Sequence, residues 1–73
     1  MKTITLKNKT SVYLFEDSDE LFLDSDRIIV GNPTKLVIAD LNVSNTNVYA
    51  NVIAPVDWKA HKYLFDGVVW TVK

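Results

Sequence analysis

The chain contains no cysteine. That excludes a disulfide framework and any thiolate metal centre, and it suits a reducing compartment. Glycine and proline occur only twice each, which leaves nothing to build a Gly-rich phosphate loop or a low-complexity linker. His61 is the single histidine, with no partner ligands at metal spacing beside it. No apolar run exceeds four residues, far below the ~20 that a membrane-spanning helix needs. Neither charge dominates, and the net is −1. Proteins that grip nucleic acid through its phosphates are normally basic, so electrostatics argue against that partner. The opening MKTITLKNKT lacks an apolar h-region, so the chain is not expected to be exported by a signal peptide.

What is present is a hydrophobic fraction of 48 % in 73 residues. That is too apolar for a disordered segment, and it fits one small domain over residues 1–73 with a core near the lower size limit. The most informative stretch is Lys62 to Lys73. Asp66-Gly67 between two apolar runs predicts a hairpin with a two-residue type I′ turn. Phe65 then opposes Val68, Leu64 opposes Val69, and Tyr63 opposes Trp70. One face carries Tyr63, Phe65, Val68, Trp70 and Val72, with His61 at its end. The other carries Lys62, Leu64, Val69 and Thr71.

Upstream, Thr3 to Lys7 alternates as a half-buried strand, and Asn8-Lys9-Thr10 turns it back. Ser11 to Phe15 returns with Val12 and Leu14 opposing Tyr13 and Phe15, so both faces look apolar. Glu16 to Asp26 holds six of the nine acidic residues around Leu21-Leu23, as two acidic turns bracketing a short strand. Arg27 to Val30, Lys35 to Leu41 and Val48 to Ile53 read as further strands. Gly31-Asn32-Pro33, the Asn-rich Asn42 to Asn47 and Pro55 punctuate them. Trp58 is expected to tuck back onto the core. Together these predict an all-β chain: a small antiparallel sandwich or partly open barrel of six to seven short strands, ending in the type I′ hairpin.

Asp57-Trp58, Lys62 to Gly67 and Trp70-Thr71, together with Ile4-Thr5-Leu6 and Ser11 to Phe15, resemble short uncharacterised proteins encoded by tailed phages that infect marine bacteria. The segments cover about a third of the chain, and Val68-Val69 departs from the polar pair of that group. The resemblance implies a phage-encoded accessory or virion-associated protein, located in the host cytoplasm or on the virion. It transfers no catalytic residue.

Chemistry-bearing patterns are sparse. Asp17-Ser18-Asp19 and Asp24-Ser25-Asp26 space carboxylates as a Ca²⁺ loop does, but the glycine of an EF-hand loop is missing, and solvated turns are expected. Ser11, Ser18, Ser25 and Ser44 lie outside any nucleophile elbow. No catalytic residue, cofactor or metal site is therefore assigned. The aromatic residues are read as core and interface rather than as a stacking platform for single-stranded nucleic acid. If Tyr63, Phe65, Val68 and Trp70 fill the core, Leu64 and Val69 point outward, and one face of the second strand does too. Leu64, Val69, Tyr13 and Phe15 are then candidates for a self-association surface. The expected protein is a non-enzymatic homo-oligomer; a host or virion protein is the other partner considered, and a membrane is not. The alternative is a binding module for single-stranded nucleic acid or a host protein.

Overall fold

A computed structural model describes residues 1–73. It consists of β1 (Lys2–Leu6), β2 (Ser11–Phe15), β3 (Leu21–Leu23), β4 (Ile28–Val30), β5 (Leu36–Ile38), β6 (Thr46–Tyr49), β7 (Tyr63–Phe65) and β8 (Trp70–Val72), with no helix. They form three small antiparallel sheets ordered β2-β1-β6, β3-β4-β5 and β7-β8, none closed into a barrel. The chain is all-β, with eight strands where six to seven were expected.

Asparagines account for two of the boundary differences. The run Lys35 to Leu41 contracts to β5 because Ala39 and Asp40 turn. Asn42 Oδ1 accepts the Ser44 and Asn45 N–H groups, and Asn45 Nδ2 donates to the Asp40 carbonyl. Side-chain bonds of this kind compete with a ladder. The strand expected at Val48 starts earlier, at Thr46, and ends at Tyr49. Asn51 adopts φ 57°, and its N–H donates to Asp17 Oδ1.

β2 resolves the puzzle of its two apolar faces through a bulge. Ile4 pairs with Tyr13 and Thr5 with Ser11, which leaves Val12 as the extra residue. Two residues opposing one lets Val12 and Tyr13 share a side. Val12 joins the aliphatic core with Ile4, Ile28, Val30, Ile38 and Leu41, while Tyr13, Phe15, Leu21, Leu23 and Val48 pack around it. Of the apolar residues of β2, Leu14 alone falls on the face of its partner Thr3. The core thus lies between the β2-β1-β6 sheet and the β3-β4-β5 sheet.

The opposite face of β1 is also covered. Thr3, Ile4 and Thr5 are all fully buried, as are Thr10 and Ser11. The sequence-based premise that so short a chain must leave one face of β2 outward is therefore corrected. The terminal hairpin and the segment around Trp58 lie over the hydroxyl side.

The hairpin also differs from expectation in register. Phe65 opposes Trp70, Leu64 opposes Thr71 and Tyr63 opposes Val72. The turn is a four-residue loop, Asp66 to Val69, not a type I′ turn. Gly67 has the expected positive φ, 103°, but Asp66 does not adopt one. Instead, Asp66 Oδ1 accepts the N–H groups of Val68 and Val69, each at 2.8 Å. That capture satisfies two loop donors, which a two-residue turn would not. The change also stacks Phe65 on Trp70, with centroids 4.4 Å apart. Because the slip is two residues, the side-chain parity survives, and Tyr63, Phe65, Trp70 and Val72 still share a face. Val68 leaves that face and is 85 % exposed.

Candidate functional site

The hairpin does not stand alone. Thr10 and Leu64 form an antiparallel bridge. Phe65 N–H donates to the Lys9 carbonyl and His61 N–H to the Ser11 carbonyl, both at 2.9 Å. β7 is therefore joined by a single bridge to the residues that lead into β2. Through this bridge the β7-β8 sheet adjoins the β2-β1-β6 sheet, in the spatial order β6-β1-β2-β7-β8. Tyr49 on β6 and Phe65 on β7 would stand three strand spacings apart in a flat sheet, about 14 Å. Their rings instead meet edge to face at 5.2 Å. The five strands are curled, with the hydroxyl side of β1 on the concave face.

That concave face holds a directed hydroxyl relay. Thr3 Oγ1 donates to the Tyr13 carbonyl at 2.9 Å. Its contact with Ser11 Oγ, at 2.6 Å, must then use the Ser11 proton. Ser11 in turn accepts the Trp58 indole N–H at 2.9 Å, so Trp58 does tuck back. Thr5 Oγ1 and Thr10 Oγ1 are buried without any partner.

At the rim, Asp57 accepts Lys62 Nζ and the Tyr63 hydroxyl, both at 2.6 Å. The Lys62 bond, then the Tyr63 bond, holds the Asp57 carboxyl down at about 2. The same contacts push Lys62 and Tyr63 up. Other aspartates are tied to local structural partners. The N-terminal ammonium lowers Asp17, Lys35 lowers Asp19, and backbone N–H groups lower Asp24 and Asp66. Asp17, Asp19 and Asp24 thus serve separate contacts in the acidic segment.

Between the outer edges of the curled sheet lies an apolar groove of about 450 Å³. One wall is Val48 to Ile53, and the other comprises Phe65, Gly67, Val68 and Trp70. Ile53 is 90 % exposed, and Val56 beyond it is fully exposed. Val69 (56 %) and Val72 on the hairpin are exposed as well.

The sequence-predicted surface residues are dispersed among different roles. Tyr13 and Phe15 are half-buried against the aliphatic core, with rings stacked at 5.7 Å. Leu64 is half-buried beside Thr10, and Val69 is exposed in the hairpin loop. His61 is exposed in a turn at φ 69°, away from the end of the hairpin's core face. The groove residues Ile53 and Val68 were missed. Ile53 was assigned to a strand that ends earlier, and Val68 to the core by the two-residue turn.

Comparison with protein-family models, curated proteins and solved structures finds no match. The geometry of the groove and its edges is what bears on function.

Proposed function

We propose that this chain is a small non-enzymatic interaction protein that holds another polypeptide in the groove between the β6 segment and the terminal hairpin. The observation that carries this reading is the groove itself: a trough lined mostly by hydrophobic residues, whose rim residues Ile53 and Val68 stand almost wholly in solvent. Isolated exposed valines need no explanation, but apolar residues gathered around one concavity mark a contact surface. Five of the nine carboxylates are committed to structural contacts. A general acid needs a raised pKa, whereas Asp17, Asp19, Asp24, Asp57 and Asp66 are all lowered by structural partners. The likeness of the terminal segments to short phage proteins supplies the setting, a phage-encoded protein acting on a host or virion partner.

Self-association is the second reading, favoured by the exposure of Val56, Val69 and Val72 outside the groove. Light scattering coupled to gel filtration separates the two at low micromolar concentration. A host-cell pull-down compares wild type with Ile53→Lys/Val68→Lys. A partner recovered by wild type and lost by the double variant is the expected result. A clean 8.3 kDa monomer from which both forms recover the same proteins, or none, overturns the reading.

A further inference from the structure

The groove is bounded by two sheet edges whose backbone polarity follows from the hydrogen bonds already formed. In the hairpin, Lys73 N–H donates to the Lys62 carbonyl and Asp66 N–H to the Val69 carbonyl. Antiparallel ladders alternate bonded and non-bonded pairs, so Leu64 and Thr71 are the bonded pair between them. Trp70 and Val72 therefore direct their N–H and C=O groups outward from β8. On the other wall, Leu6 bonds to Lys9 and Thr10, facing β2, while Met1 exchanges bonds with Val52, facing β6. Alternation along β1 then turns Thr3 and Thr5 to β6, where they bond Tyr49 and Asn47. Val48 is left to direct its backbone groups outward. No strand adjoins either edge.

The two edges run in the same direction. β6 is antiparallel to β1, β1 to β2, β2 to β7 through the Thr10–Leu64 bridge, and β7 to β8. β6 and β8 are hence parallel, and joining them directly would break the alternation of the sheet. One further strand, antiparallel to both, completes it.

We infer that the groove accepts a single extended peptide strand from a partner protein, antiparallel to both β6 and β8, with apolar side chains at alternate positions. This rests on the reading of the groove as a contact surface. The occupant must bond on both of its edges. Every strand of a second copy already spends one edge on its own sheet, and the segment that follows Val52 contains Pro55, which has no N–H. The strand therefore comes from an unpaired segment of a different protein, recognised by strand addition: main-chain bonds give affinity, and pockets for alternate side chains give selectivity.

The test uses the full chain, ¹⁵N-labelled, with an acetylated and amidated heptapeptide, Lys-Val-Thr-Val-Thr-Val-Lys. The same peptide N-methylated at alternate backbone nitrogens is the control, since it keeps the side chains and loses donors along one edge. The expected result is at least tenfold slower amide exchange at Val48, Trp70 and Val72 with the first peptide and none with the second. Val72→Pro removes a donor that faces away from β7, a position where an edge proline is tolerated, and should abolish the protection while leaving the Phe65 and Trp70 ring signals in place. Equal binding of both peptides, with shifts at Ile53 and Val68 but no protection, overturns strand addition and leaves a contact surface. No shift at any groove residue up to millimolar peptide overturns both. If Val72→Pro does not fold, the comparison of the two peptides decides alone.

Discussion

Ile4 and Thr5 are neighbours on β1 and both are fully buried, but they are buried by different means. Ile4 faces a second sheet, whose Ile28, Val30 and Ile38 close over it with aliphatic surface. Thr5 faces the concave side, where hydroxyls, two indoles and three phenyl-type rings are arranged by hydrogen bonds and edge contacts. The aliphatic side is a sealed packing of two sheets. The concave side opens onto the groove between Val48 to Ile53 and the hairpin. Aliphatic packing and hydrogen-bonded packing are thus divided between the two faces of one strand. The proposed binding groove lies on the side where packing is polar and aromatic.

The largest effect should come from the sealed side. Ile28→Ala removes a wholly buried side chain and should cost about 2–5 kcal/mol in urea unfolding. A loss below ~1 kcal/mol would place the main core elsewhere. Gly67→Val probes the concave side. Its φ of 103° resists a β-branched residue, and a Cβ there would stand 3.1 Å from the Tyr49 ring. A loss of about 1–3 kcal/mol is expected, and an unchanged melting midpoint would remove the tip of the hairpin from its contact with β6. Thr5→Val should act in the opposite direction. It deletes a buried hydroxyl that has no partner and should stabilise by about 1 kcal/mol. Destabilisation of that size would mean that the hydroxyl is satisfied in solution.

The smallest effect belongs to the rim. Asp57 is held below its ordinary 3.8, at about 2. A depressed carboxylate contributes stability above pH ~4 and loses it as pH falls through the folded value. Asp57→Asn should therefore lower the melting midpoint at pH 6, with the gap from wild type closing between pH 4 and 2. Asp57 itself is more than half exposed, so the shift is small. A gap that persists at pH 2 would show that the amide harms packing rather than that the charge is missing.

Much of this architecture is legible in the residues, for reasons that also explain what is not. Alternation reports the faces of β1 and β7, because period-two patterning is local. The identity of the hairpin is legible too, since Asp-Gly permits the turn. Its register is not, because Asp66 can either sit in a two-residue turn or cap a four-residue loop, and the choice depends on Trp70 finding Phe65. The bulge at Val12 is invisible for a similar reason: VYLF reads as regular alternation until β1 is laid beside it. The groove depends on both errors at once. Ile53 and Val68 become exposed only when β6 stops at Tyr49 and the loop lengthens. Tyr13 and Phe15, offered as outward residues, are explained by the same bulge, which turns them to the core.

The bulge has one more consequence. Bulges sharpen local twist and bend the strand that carries them. The extra residue at position 12 lies two residues from the bridge that carries β7, so its bend falls between the sheet and the hairpin that reaches Tyr49. Deleting Val12 would not throw the rest of β2 onto the wrong face, as a one-residue deletion does in an ordinary strand. Ser11 and Tyr13 would become consecutive partners of Thr5 and Ile4. The sheet would regularise, flatten and lose its trough. Curvature in this protein is encoded as an insertion, and the trough is a property of chain length in β2 before it is a property of any side chain that lines it.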